Sequence, residues 1–382
     1  MPFPRIVACL GLAAHLAVAQ GVTQDRILVG QSAVLSGPAS FLGVSMKSGV
    51  EAAFDEVNAA GGVHGRRLKL TSYDDRYEPA PCAENTKSLL ERDRVFALLG
   101  YVGTPTCNAA KPVFEPAGAP FVGPFTGAAT LRTGVKTIFN LRASYEQETA
   151  AMAEGLVKGL GVRDVGVFYQ NDAYGGTIRA GANKALEALG VRPSCEATYE
   201  RNTLAVDDGV RKFLAARPRA VVLGGAYAPC AAFVKRCKEA GYDPIFLSVS
   251  FVGPEKFVEH LGAAAEGEVV TQVVPSPLES ELPAAKSFRA ALTKLGRDAD
   301  VNHVAFEGYL SARLFVEGLR AAGPDLDRPR FAAAMENLAD VDLGIGYPVG
   351  FRGRGRQASD RVWVTVARGG KLVPMTDWKS LK

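Results

Sequence analysis

Residues 97–110 read ALLGYVGTPTCNAA. The first four look like the tail of a buried strand, and the last ones open a helix. Between them stand two glycines, two threonines and a proline, all small or turn-forming. A small polar junction between strand and helix leaves backbone N–H groups and a hydroxyl free at a helix start, where an anionic group such as a carboxylate can be held. A proline early in that helix costs no hydrogen bond. The plainer reading is that Thr104 or Thr106 merely caps its own helix.

The same grammar extends to both sides. RILVGQSAV predicts a strand, followed by an amphipathic helix over 41–60 that Gly61 and Gly62 stop. RLKLTSYDD is the next strand, 80–92 a helix, 95–100 a strand, 106–117 a helix and 119–123 a short strand. Buried apolar strands alternating with helices argue for an α/β fold with a mostly parallel sheet covered on both faces. The pattern restarts at 164–170 and runs through 249, so the chain holds two such units. The segment TIFNLR and a helix from about Tyr145 join them. TQVVPSP, beginning at Thr271, reads as a second crossing, and Leu343-Gly-Ile-Gly-Tyr-Pro as a third.

The chain has 382 residues, 47% of them hydrophobic and 22% charged, enough for one large or two medium cores. The net charge of +4 is scattered, with no basic stripe carrying interleaved aromatics, which argues against nucleic acid as a partner. Residues 1–19 carry one arginine, an apolar run and Ala17-Val-Ala19, a small-x-small cleavage pattern. That is an export signal cut after Ala19, too short to span a membrane. Cys9 as a lipid-attachment site would leave almost no apolar core before it. Export puts the five remaining cysteines in an oxidising compartment. Cys82 and Cys107 each sit at a helix start, and neighbouring helix starts favour a Cys82–Cys107 disulfide, with two free buried thiols as the alternative. Cys195 could pair with Cys230 or with Cys237, and since five is odd, one thiol should stay free.

No dinucleotide fingerprint, phosphate loop or nucleophile elbow appears. His64, His260 and His303 are isolated, suggest surface roles, and make no metal set or base–nucleophile pair. No catalytic residue, cofactor or metal is expected. In an open parallel sheet, ligands sit beyond the carboxyl ends of the strands. Those ends carry Ser36, Asp74-Asp75, Gly103-Thr104, Phe125-Thr126-Gly127, Tyr174, Tyr227 and Ser250-Phe251. Asp74 and Asp75 read as braces of a turn. Arg142, on the link, suits a structural ion pair better than a ligand carboxylate.

Read in order, VGQSAVLSGPASFLGVSMKSGVEAAFDEVNAAGGVHGRRLKLTSYDD, ALLGYVGTPT, PFVGPFTGA, FYQNDAYGG and AAAEGEVV resemble the solute-binding proteins of branched-chain amino-acid-type ABC transporters, the Leu/Ile/Val-binding family. The resemblance spans nearly all of the chain after residue 27. It implies a type I periplasmic binding fold: two Rossmann-like lobes with parallel-sheet cores, joined by three crossover segments, closing on a ligand. The lobes would be 24–142 with 276–342, and 143–275 with 343–382. It implies a monomer in the periplasm that takes a small amino acid, amide, or aromatic or aliphatic carboxylate to an ABC permease. By this resemblance the loop with Tyr101, Gly103 and Thr104 holds the ligand carboxylate. Phe125, Thr126 and Gly127 meet the amino group, and Tyr174 and Tyr227 supply aromatic walls.

Three departures stand out. Ser250 occupies the position where amino-acid binders carry an acid for the ammonium. Leu42 stands in an apolar loop where other members carry an aromatic. Cys82 and Cys107 are shifted from the family's pair. Two rival functions share the fold or its loops: a ligand-sensing receptor subunit, and an exported amide hydrolase, which would turn over a bound amide.

Overall fold

The computed structural model describes residues 20–278 and 280–381. The expected export signal over 1–19 lies outside the described residues. The chain opens with β1 (Arg26–Ala33), whose Ile27 and Val29 are buried, and α1 (Ser40–Ala59). Then come β2 (Arg67–Asp74), α2 (Pro79–Glu91), β3 (Ala97–Leu99), α3 (Thr104–Phe114), β4 (Phe121–Val122) and β5 (Ile138–Phe139). Every pairing in this sheet is parallel, in the order β2-β1-β3-β4-β5. The strand order reverses beside β1, so the loops after β1 and β3 splay apart and open a crevice at the strand ends.

The second unit repeats the plan. It runs α4 (Tyr145–Glu154), β6 (Val165–Gln170), α5 (Ala173–Glu187), β7 (Cys195–Tyr199), α6 (Asp207–Ala216), β8 (Ala220–Gly224), α7 (Tyr227–Glu239), β9 (Ile245–Ser248), α8 (Pro254–Leu261) and β10 (Val269–Gln272). The chain then returns to the first lobe as α9 (Pro283–Lys294), α10 (His303–Ala322) and α11 (Arg328–Asn337). It ends on the second sheet with β11 (Trp363–Arg368) and β12 (Lys371–Pro374). The second sheet has the order β12-β11-β10-β9-β8-β6-β7, parallel except for the two last strands at one edge.

Helix α1 lies directly on α10. Gly49 permits this: a Cβ there would stand 1.8 Å from the Ala305 carbonyl oxygen. The last crossing comes later than expected. Leu343, Ile345, Val349, Phe351 and Ala358 are buried in the first lobe's core. The 343–358 segment therefore packs with that lobe, and the chain reaches the second sheet only at β11. Its apolar residues are shared out by contact, which composition does not reveal.

The Cys82–Cys107 bridge is not formed. Both side chains are buried free thiols, as are Cys230 and Cys237, and the half-buried Cys195 is also free. Cys82 is drawn to Ser32 and the Asp75 carboxyl instead. Burial, and the nearby Asp75 and Cys107, push its thiol well above the usual range.

Candidate functional site at the crevice between the lobes

Gly103 ends the β3 loop with φ +97°, and a Cβ there would lie 2.2 Å from the Tyr77 ring. Only glycine fits that corner. It turns the chain so that Thr104 begins α3 without any side-chain cap. The Thr104 hydroxyl reaches the Thr126 hydroxyl at 2.7 Å, both side chains being buried. Capping therefore does not explain Thr104. Thr106 does not cap the helix either: its hydroxyl donates back to the Val102 and Gly103 carbonyls from within the first turn. The two loops are laced together: Phe125 N–H donates to the Tyr101 carbonyl at 2.7 Å, and Gly103 N–H to the Phe125 carbonyl at 3.2 Å.

The second lobe presents aromatic rings. Asp172 caps α5 by accepting from the N–H groups of Tyr174 and Gly175. That cap sets Tyr174 4.5 Å, centroid to centroid, from Phe251. Phe251 bridges the lobes, 5.2 Å from Phe125 and 6.1 Å from Tyr77 of the first lobe. Tyr227 meets Phe41 edge-on and its hydroxyl accepts the Phe41 N–H at 3.4 Å. Leu42 is buried beside Tyr227 and Gly253, on the opposite lobe. The lobes are closed, and entry of a ligand requires them to part.

Arg142 sits at the bottom, fully buried under the Phe125 and Tyr145 rings at 5.2 and 5.4 Å. Its Nη2 donates to Glu148 Oε1 at 2.8 Å and to the Ser250 hydroxyl. Its Nη1 lies 3.6 Å from Glu307 Oε1. Glu148 also accepts from Ser250 N–H at 2.8 Å, the Ser250 hydroxyl at 3.1 Å and the Thr271 hydroxyl at 2.6 Å. Arg132 donates to the carbonyls of Thr126, Ala128, Arg142 and Ala143. Burial pushes the Glu307 carboxyl up to about 7, against the pull of Arg142. Burial, with Arg142 nearby, brings Arg132 down to about 9. Arg142 itself stays charged: burial opposes the charge, but Glu307 and Glu148 more than restore it.

The structure thus brings together Gly103, Thr104, Phe125, Thr126, Arg142, Tyr174, Ser250 and Phe251, with Leu42 and Tyr227 along one rim. Gly127 supports them from behind, its carbonyl accepting the Tyr145 N–H at 2.9 Å. Two expected residues point elsewhere. The Tyr101 ring turns into the first lobe's core, 4.8 Å from Phe121, with its hydroxyl 3.1 Å from Thr86. Ser36 is exposed, and its N–H and hydroxyl are both tied to Asp74. Asp74 braces the turn as expected, accepting also from Leu35 and Arg76 N–H. His303 is not a surface residue: α8 covers it, and it meets Glu255 there. Tyr77, Tyr145, Glu148 and Glu307 were missed. The capping box of Ser144 and Gln147, legible in SYEQE, places Glu148 in the first turn of α4.

The family model for periplasmic binding proteins matches residues 26–371. The chain belongs to that family. Among relatives, it is 24% identical over 346 residues to Leu/Ile/Val-binding protein homolog 3 of Brucella melitensis biotype 1, covering 90% of this chain and 91% of that one. It is 36% identical to a possible leucine/isoleucine/valine-binding protein from Rhodopirellula baltica SH 1, with a TM-score of 0.89 over 94% of this chain and 98% of that one. A branched-chain amino acid ABC transporter protein from Thermus thermophilus, solved with bound valine, shares the fold. Its TM-score is 0.84 at 20% identity, over 93% of this chain and 97% of that one. This periplasmic binding protein has the two-lobed type I fold and is a substrate-binding component. Among the described residues, no helix is long and apolar enough to cross a membrane.

Proposed function

We propose that this periplasmic binding protein captures a small amino acid or related carboxylate between its lobes and delivers it to an ABC permease, without a chemical step. The observation that carries this is the Thr104–Thr126 hydroxyl pair, buried at 2.7 Å beside the uncapped start of α3. One hydroxyl of the pair and the first N–H groups of α3 are suited to a carboxylate. The rings of Phe125, Tyr174 and Phe251 offer apolar area, and such area with a few fixed polar groups makes a selective small-molecule site. Relatives named for leucine, isoleucine and valine support the ligand size. Export with cleavage after Ala19, a monomeric state and the lobe boundary near the Arg142 crossing belong to the same reading.

The test is a thermal-shift screen of amino acids, amides and aliphatic and aromatic acids, with calorimetry on the hits. Stoichiometric binding that leaves the solute unchanged is the expected result. Release of ammonia from an amide would replace this reading with hydrolysis. A screen without any stabilising solute would remove capture altogether.

A further inference from the structure

Two of the acids around the crevice, Glu148 and Asp172, have their oxygens fully engaged. Glu148 accepts four hydrogen bonds, from Arg142, Thr271, and the N–H and hydroxyl of Ser250. That fills a carboxylate's capacity. Asp172 caps α5 with one oxygen and takes Gln170 and Arg201 on the other. Asp75 accepts the Ser32 hydroxyl at 2.8 Å and the Tyr77 N–H at 2.9 Å. Glu307 faces Arg142. Ser250, which could have been an acid, carries no charge.

The donors are the opposite case. Arg142 Nε and Nη1 and the Tyr145 hydroxyl are buried and, among the described residues, have no hydrogen-bond partner. Donors buried without an acceptor are costly and need a reason. Arg142 stands between Phe125 of the first lobe and Ser250 of the second. It is therefore where a ligand's anionic end would touch both. An ammonium placed there would face a guanidinium of the same sign, and Glu148 has no oxygen left to accept from it, while Glu307 is turned to Arg142.

We infer that the crevice is selective for an apolar carboxylate lacking an ammonium group, such as an acyl or aryl-alkyl acid, with the Arg142 guanidinium as its anion anchor. This rests on the capture reading and narrows it. Phe251, Phe125 and Tyr174 are the wall for the apolar body, and Tyr145 adds a hydroxyl donor.

The experiment is calorimetry on the intact protein with matched probes. One series is 3-phenylpropanoate, phenylalanine and 3-phenylpropanamide. The other is 4-methylpentanoate, leucine and 4-methylpentanamide. Within at least one series the acid should bind at least about tenfold more tightly than both its amino acid and its amide. Arg142→Gln should lower acid affinity by about 30-fold or more and leave the amide within about threefold. Because that variant leaves Glu148 and Glu307 beside a neutral side chain, its fold is checked by its thermal melt. The wild-type series decides the matter if it fails to fold. If in both series the amino acid or the amide binds within about tenfold of its acid, the inference is overturned and capture is left standing. No binding in either series overturns it too, and capture is then judged by the wider screen alone.

Discussion

Glu255, in the first turn of α8, reaches across the crevice to His303, in the first turn of α10. Its Oε1 lies 2.5 Å from His303 Nδ1 and accepts the His303 N–H at 3.1 Å. One carboxylate oxygen thus ties a helix start of the second lobe to a helix start of the first. An acid at a helix N-terminus also suits the dipole of α10. Arg201 to Glu78 at 2.7 Å is a second tie between lobes, but it is more exposed and so weaker in water.

Removing the Glu255 tie should loosen closure without unfolding either lobe. Glu255→Ala should open the unliganded protein, seen as a larger radius of gyration in small-angle scattering. A charge-assisted hydrogen bond contributes about 1.5–3 kcal/mol, so ligand affinity should fall by about tenfold or more. An unchanged radius and unchanged affinity would show that closure does not use this contact.

Thr104→Val keeps the shape of the side chain and removes its hydroxyl. A captured carboxylate should then bind more weakly by about 1–3 kcal/mol, the cost of one buried hydrogen bond. Calorimetry with the strongest hit of the screen measures this directly. Equal affinities would take Thr104 out of the site.

The free thiols of Cys82 and Cys107 make a prediction of their own. Protein purified without reductant and unfolded in guanidinium should show thiol reactivity at all of Cys82, Cys107, Cys195, Cys230 and Cys237. Reductant should leave the melting temperature unchanged. A drop of several degrees on reduction, or mass spectra with a Cys82–Cys107 linked peptide, would restore the bridge.

Glu268 makes stability depend on pH. Burial raises its carboxyl from about 4.5 to about 8, against the pull of Lys238 at 3.0 Å. The folded protein therefore binds a proton that the unfolded chain releases. The stabilisation is full below about pH 4.5 and is lost as pH rises toward 8. Denaturant titrations should show stability falling over that window, and Glu268→Gln should flatten the slope. The same slope in wild type and variant would refute the assignment. Glu307 and Asp75, raised by burial to about 7 and about 6, add slopes of the same sign.

The strand-end rule picked out Thr104, Thr126, Tyr174 and Ser250 as loop residues beside the crevice because alternation of strand and helix is a local signal. It could not tell which way a loop side chain turns. Tyr101 and Thr104 are three residues apart in one loop, yet one ring fills a core and the other hydroxyl lines the crevice. That choice is made by Gly103 and the Tyr77 ring pressed against it.

By itself, the sequence determined the two repeated α/β units, their strand ends and the glycine-marked loops, because apolar periodicity and turn chemistry act over a few residues. Only the tertiary structure decided the charge arrangement. Arg142, Glu148, Ser250, Thr271 and Glu307 come from distant stretches and meet in one buried cluster. Burial there strengthens every pairing and makes every unpaired donor costly, and that burial comes from residues far apart in sequence packing around one point.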